Sequence, residues 1–547
     1  MLAYFAVIRS NFYYKDDIRR ALTGHKSWVG SSRFISEIFS VFLHTNFYLN
    51  DISPVTQTVS IFLLALMSFL LAYIFGCKSG ICDENAGQDC RNDGNADTKV
   101  RSDGKLSKLL LLASTFAGLS PFYIENISYK FDSPYMALSM LLGVLPFVFA
   151  GSRVLYFTVS FISLVLICSS YQAANSVYIV VAIFLAFKML KEGARLKTLR
   201  DFVLISILSY AASLLFFRIF IMIPTSATIS ERSTDVLSVS QLAAQIPLNF
   251  ISYAKAVTSG FGNYWIKICT VISIILFSII SAAPAKVDGA VSPKNTAEHE
   301  YRDIQKGRSL KSPRGLFDAL TFAFFALVTL ILAFSLSFGA YLIIGNTLIA
   351  DRAFLGFDVF ICLLCMFNIY SCTCALTLSH SDKSDICGFH KKILPVVKTV
   401  TVCLFYGLFV CATVKGNLYT KQQEYQNFRY TLLMSDLSHI VDPNKRPTLY
   451  ISGDLGAASS TYMENKNYKF NLGTTSSGWA NDLVLRWNMN FNVESDGTVN
   501  FDESPELKNT LLSLPLLSDS YYHSIFGNSE ICYVILKKPQ VKEYRIR

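Results

Sequence analysis

Long uninterrupted apolar runs fix the fold class of this chain. Runs near residues 59–76, 107–124, 134–150, 154–170, 176–190, 202–224, 265–285, 316–345, 353–372 and 395–414 stand out. They reach or approach the roughly 20 residues that a helix needs to cross a hydrocarbon core. The expected fold is an α-helical polytopic membrane protein with about 10–11 transmembrane helices. Half the residues are apolar and only 16% are charged, as such a fold requires. The formal net charge of +10 therefore does not argue for a nucleic-acid partner. Much of it lies in loops between the runs, where cytoplasmic loops collect Lys and Arg. Met1–Ile8 is apolar but too short to span, and it has neither the basic start nor the cleavage-type site of a signal peptide.

The two most basic stretches, 188–200 and 286–314, belong on the cytoplasmic side. Counting runs from them puts residues 9–56, 125–133, 171–175, 225–264, 346–352 and the tail outside, which in a bacterium is the periplasm. An outside loop at residue 9 needs a preceding span, which Met1–Ile8 cannot supply. A truncated start is preferred over an N-terminus that inserts outside. Within the first outer loop Phe34, Ile35, Ile38, Phe39, Phe42 and Leu43 recur at helical spacing, with Ser36, Glu37, Ser40 and His44 on another face. That pattern describes a helix lying in the interface. Cys77–Lys105, rich in Asp, Asn and Gly, reads as a flexible loop.

The tail from Lys415 to Arg547 has no long apolar run. Leu483, Leu485, Trp487, Met489, Phe491 and Val493 alternate with Val484, Arg486, Asn488, Asn490 and Asn492, close to a half-buried strand. Ser495-Asp496-Gly497 marks a turn, Thr498–Phe501 can return as a second strand, and Ile531–Leu536 is a further strand. Three regions result: an N-terminal segment and first outer loop (1–56), a helical membrane domain (57–414) and a small C-terminal periplasmic α+β domain (415–547). Of thirteen cysteines only Cys532 falls in that outer domain, so no disulfide is expected there.

Chemistry belongs to the charged residues between the runs. Tyr14–Arg33, YKDDIRRALTGHKSWVGSSR, sets Asp16 and Asp17 side by side and follows them with Arg19, Arg20, Gly24, Trp28 and Arg33. Such clusters usually only solvate a loop, but almost everything downstream is a membrane anchor. Glu125–Asp132, ENISYKFD, is wedged between two runs, and ionisable groups so near a membrane are costly to keep. Cys372-Thr-Cys374 with His380, Cys387 and His390 matches no strong zinc spacing, so no metal is expected. No Walker-type glycine loop is present, which argues against a nucleotide-sugar donor. No cofactor is expected either.

Taken together, YKDDIRRALTGHKSW…SR with the following Asp51-Ile-Ser-Pro-Val-Thr-Gln57 resembles the prophage-borne serotype-converting O-antigen glucosyltransferase family. Glu125-Asn-Ile-Ser-Tyr-Lys-Phe-Asp132-Ser is similar to a second block of that family, and Ser170-Tyr-Gln-Ala-Ala-Asn175, with Gln172, to a third. The resemblance implies a GT-C type membrane glycosyltransferase in the bacterial inner membrane. Its donor would be undecaprenyl-phosphate glucose and its acceptor the lipid-linked O-antigen in the periplasm. Membrane lipids, a companion flippase and a donor-synthesising glucosyltransferase would be its other partners. The family's acidic pair maps onto Asp16 and Asp17, its cations onto Arg20 and Arg33, and its second-block residues onto Glu125, Lys130 and Asp132. The full first span usual in the family is missing here, and the tail matches no motif.

Attack of an acceptor hydroxyl on an anomeric carbon needs a base, and Asp16 or Asp17 is the expected one. The leaving phosphate needs positive charge, which Arg supplies in bidentate form. Arg20 and Arg33 are the first candidates and Lys130 the next, with headgroup anchoring as their plainer role. Trp28 suits an interfacial belt better than stacking on a sugar. Direct displacement would invert the anomeric carbon. A flippase is the main competing reading, yet it would line a central cavity with charges inside its helices. An O-antigen polymerase shares the spans and loops, but leaves the early acidic pair and ENISYKFD without a role.

Overall fold

The structure, a computed structural model, describes residues 1–76, 107–222, 239–282, 313–345, 349–377, 385–441, 447–472, 492–495 and 504–539. The first part holds α1 (Phe5–Ser10), α2 (Asp17–Thr23), α3 (Phe34–His44) and α4 (Val55–Gly76). Three short helices follow: α5 (Lys108–Ser114), α6 (Phe116–Leu119) and α7 (Tyr123–Ser128). Next come α8 (Ser133–Val144), α9 (Arg153–Cys168), α10 (Asn175–Lys191), α11 (Leu196–Phe216), α12 (Val239–Gly260), α13 (Tyr264–Ala282), α14 (Pro313–Leu336) and α15 (Leu355–Thr377). The 56-residue α16 (Asp385–Ile440) leads into the tail, which adds α17 (Ser459–Tyr468) and α18 (Pro505–Leu512).

Among the described residues, seven helices are long and apolar enough to cross a membrane; α8 and α9 are apolar but shorter. The span expected over 107–124 is instead broken into α5, α6 and α7. Pro121 causes the break between α6 and α7. It offers no N–H and drives the preceding residue out of the helical region, and Ser120 is extended at φ −58°, ψ 146°. The loop expected at 225–264 contains α12, a 22-residue helix with Pro247 inside it. The last span does not stop at residue 414. From Asn417 onward the chain holds no Gly or Pro until Pro443, and α16 runs straight through. The stretch Cys77–Lys105 lies outside the described residues.

α15 is the centre of the bundle. Cys362, Leu363, Leu364 and Met366 have no exposure at all, and α5, α10, α13 and α16 pack around it. α11 and α14 sit at the edge with Leu204, Ile207, Leu208, Phe324 and Ile331 outward. α3 is amphipathic in the sense expected of a helix against lipid. Its Ser36, Ser40 and His44 face inward, and Ile38, Phe39 and Phe42 face outward.

α1 lies along α16, and the two backbones touch at Gly416. A Cβ there would stand 2.3 Å from the carbonyl carbon of Ala6 and 2.4 Å from the nitrogen of Val7. Gly416→Ala should therefore push α1 away and destabilise the protein by about 1–3 kcal/mol. Thermal unfolding in detergent measures this, and an unchanged midpoint would refute the close contact.

The tail folds into one five-stranded sheet of order β2-β1-β5-β4-β3. Its strands are β1 (Thr448–Gly453), β2 (Asn492–Ser495), β3 (Leu516–Asp519), β4 (His523–Gly527) and β5 (Ile531–Leu536), the last as expected. β1 runs parallel to β2 and β5, whereas β3, β4 and β5 are antiparallel. The alternating run up to residue 491 and the return strand at 498–501 lie outside the described residues. Arg429 of α16 is buried and fixes the sheet to the helix. It donates to the carbonyls of Leu455 and Tyr522 at 2.6 Å and of Lys537 at 2.9 Å. Ile18 of α2 packs in the same core as Tyr430, Leu433 and Leu437 of α16 and Ile451 and Val534 of the sheet. The sheet thus braces the helix that carries the acidic pair.

Candidate functional site

The segment Tyr14–Asp51 and ENISYKFD meet, and most of their charges are committed to one another. Asp17 opens α2 and is fully buried. Its Oδ2 accepts from the backbone nitrogens of Tyr14 and Lys130, each at 3.0 Å, and Oδ1 from that of Phe131 at 3.5 Å. Burial pushes its carboxyl up to about 7 against those donors. Asp132 accepts from Trp28 Nε1 and pairs with Arg20 at 2.5 Å. Burial would raise its pKa, but Arg20 and the other donors hold it below the ordinary value. The Arg20 guanidinium also lies 4.7 Å over the Trp28 ring. Lys130 is buried, donating to Asn11 at 2.5 Å and to Asp51 at 3.3 Å, and sits 3.7 Å over Tyr13.

Trp28, only 2% exposed, is enclosed between Arg20, Asp132 and Tyr135. It is neither a belt residue nor a platform with a face left for a sugar ring. Its indole N–H needs a buried acceptor, and Asp132 supplies one.

A second polar cluster is built around Glu125, which is also buried. Its Oε1 accepts from Lys15 at 2.8 Å, Tyr14 at 2.9 Å and Arg352 at 3.4 Å; Oε2 accepts from the backbone nitrogen of Arg352 at 3.0 Å. Burial opposes the charge, but Lys15, Lys415 and Arg352 together draw the carboxyl down to about 2. The sign follows from the lowered value. The stabilisation is present above the ordinary value of 4.5 and is lost as pH falls toward 2. It amounts to on the order of 3 kcal/mol. Unfolding in detergent across that window should steepen in the wild type and flatten in Glu125→Gln; equal slopes would contradict the ion pair.

The rim of this cluster keeps some exposure. Asp16 is half-buried, and its carboxylate takes no hydrogen bond from a described residue, although its charge reaches Tyr129 and Arg20. Arg33 is half-buried, 5.0 Å over Tyr171, and near enough to act on Tyr341. Gln172 is half-buried beside Tyr171, whose hydroxyl donates to the carbonyl of Arg352 at 3.0 Å. Asp351 and Arg352 are half-buried in a short turn just before α15. Burial pushes the Asp351 carboxyl up to about 6.

Asp16, Glu125, Arg33 and Gln172 are therefore brought to one end of the bundle, while Asp17, Arg20, Trp28, Lys130 and Asp132 hold the loops that carry them. Sequence reasoning missed Lys15, Asp351, Arg352 and Lys415. Lys15 had a readable signal, since it directly precedes the acidic pair, whereas two charges at 351–352 in a short loop look ordinary. Lys415 had none, as it reads as the cation ending a span. Among the described residues no group of three or more His, Cys, Asp or Glu is set to hold a metal ion.

Residues 5–288, about half of the chain, match the family model described as glucosyl transferase GtrII. A protein of Salmonella phage P22, described as an uncharacterized 55.3 kDa protein in the gtrB 5' region, is 26% identical over 183 residues. That match covers 33% of this chain and only 31% of the length of the phage protein. No solved structure matches the chain.

Proposed function

Because the chain belongs to the glucosyl transferase GtrII family, we propose that it is a membrane glycosyltransferase of serotype conversion. It moves glucose from undecaprenyl-phosphate glucose to the O-antigen of lipopolysaccharide on the periplasmic side of the inner membrane. One observation carries this reading beyond the family match. Residues distant in sequence (Asp16, Arg33, Glu125, Gln172 and Asp351-Arg352) gather on one rim of an apolar helical bundle. A lipid-borne donor would arrive at that rim from the membrane, and a periplasmic acceptor from the side of the sheet.

A carboxylate must take the acceptor hydroxyl proton. Of the acidic pair, Asp16 is the base, because Asp17 is spent on backbone N–H groups. Arg33 and Arg352 neutralise the leaving phosphate, because both keep exposed area even though Arg352 also pairs with Glu125, whereas Arg20 and Lys130 are buried with their partners. The acceptor hydroxyl displaces undecaprenyl phosphate directly from the anomeric carbon of glucose, with inversion and without a metal. The sheet contributes to the choice of acceptor; exchanging it between relatives together with α2 and the last turns of α16, which share its core, should move acceptor specificity, and a folded chimera with unaltered specificity would refute that role.

Membranes carrying the wild-type protein would receive radiolabelled undecaprenyl-phosphate glucose and lipid-linked O-antigen in the presence of a chelator. Label appearing in polysaccharide is the expected result. No transfer by well-expressed wild type would sink the reading and leave a flippase as the better account. Transfer only without the chelator would remove the metal-independent displacement.

A further inference from the structure

Asp351 sits in the turn before α15, next to Arg352, a cation assigned to the leaving phosphate in the reaction proposed above, on which this inference rests. Its neighbour Arg352 is held on both sides of its peptide. The Arg352 backbone nitrogen donates to Glu125 Oε2 at 3.0 Å, and its carbonyl accepts from Tyr171 at 3.0 Å and Asn126 at 3.5 Å. The charged groups that act on Asp351 are Lys415 of α16, Glu125 of α7 and Lys15 of the first loop. Asp358 of α15 and the Tyr419 hydroxyl of α16 also feel its charge.

The two kinds of cation around it divide their roles. Lys15 and Arg352 leave 22% and 25% of their side chains exposed and can meet a ligand. Lys415 is fully enclosed, and its ammonium has no hydrogen-bond partner among the described residues. No ligand can touch it, so it acts on Asp351 and Glu125 only through its field. Asp351 itself is half-buried; its carbonyl accepts from the Phe354 nitrogen at 3.1 Å, while its carboxylate accepts no hydrogen bond from a described residue. An acid beside two accessible cations is well set to meet a phosphate.

We propose that Asp351 is the proton donor to the departing phosphate. As the acceptor oxygen bonds to the anomeric carbon, its proton passes to the Asp16 carboxylate. The bond from that carbon to the bridging phosphate oxygen breaks, and its electron pair stays on that oxygen. The carboxylic acid of Asp351 then gives its proton to the phosphate and remains as a carboxylate facing Lys415. Solvent returns the proton from Asp16 to Asp351. Burial already favours the protonated form of Asp351, and the negative phosphate beside it would favour that form further. A phosphate monoester has its second pKa near 6, so donor and recipient are closely matched.

The test is the pH profile of kcat for wild type, Asp351→Asn and Asp351→Glu, with each detergent-purified protein checked for a single monodisperse species. Wild type should lose rate on the alkaline side as Asp351 ionises. Asp351→Asn should be slower at pH 6 by about 100-fold, with the donor KM nearly unchanged and the alkaline fall abolished. An Asn variant that keeps the wild-type profile, or loses only KM, overturns the proposal. If the Asn variant does not fold, Asp351→Glu decides: an alkaline fall displaced along the pH axis supports the donor role, and an undisplaced one overturns it. Wild type that transfers no label would instead sink the parent reading, so the two failures are distinct.

Discussion

Asp16→Asn should lower glucose transfer by about 10²–10⁴-fold with almost no change in thermal stability, and Asp17→Asn should do the opposite. The two carboxylates are neighbours in sequence but not in circumstance. Asp16 is half-buried and its carboxylate takes no hydrogen bond from a described residue, so its amide version should cost within about 0.5 kcal/mol of stability. Asp17 gathers three backbone N–H groups from two segments. An amide offers one acceptor oxygen in place of two and sets an NH₂ group against a donor, which should cost about 1–3 kcal/mol. Rates normalised to folded protein, with melting curves of both variants, separate these effects. If Asp17→Asn loses the rate while melting normally, the roles assigned to the pair are reversed.

Glu125→Ala should be the most destabilising single change in the site. It would strand Lys15 and Arg352 beside a buried void and remove the acceptor for the Tyr14 hydroxyl. Breaking a buried ion pair from one side costs about 3–5 kcal/mol, against a total stability of roughly 5–15 kcal/mol for a folded domain. Most of the protein should then fail to accumulate as a monodisperse species. Glu125→Gln, which keeps an acceptor oxygen, should accumulate better. Equal yields of wild type and the Ala variant would mean that the cluster is far more hydrated than its burial implies.

Much of the fold is legible in the sequence because apolar length and alternation are local signals. α4, α10, α13 and β5 fall where those signals put them. Where the signal and the backbone disagree, a single residue decides. Hydropathy carries on through 107–124, yet Pro121 breaks the helix and turns ENISYKFD inward. Side-of-membrane counting puts Tyr14–Arg33 and Glu125–Asp132 on one face of the membrane but does not say that they touch; the structure brings them into contact. Which of their charges are committed was not legible either, because pairings such as Lys130 with Asn11 and Arg20 with Asp132 span more than a hundred residues. Asp351-Arg352 escaped notice because two charges in a short loop look ordinary until Glu125 is seen between Arg352 and Lys15.

The shared core of Ile18, Tyr430, Leu433 and Leu437 bears on how such a protein can diversify. A tail cannot be traded as a free module at residue 415, since that cut falls within one continuous helix and separates Ile18 from the partners it packs against. Recombination that brings in a new sheet without a matching α2 would misalign the loop bearing Asp16, whatever acceptor the new sheet suits. Viable exchanges should therefore carry position 18, the last turns of α16 and the sheet together, so that segments far apart in sequence must change in concert.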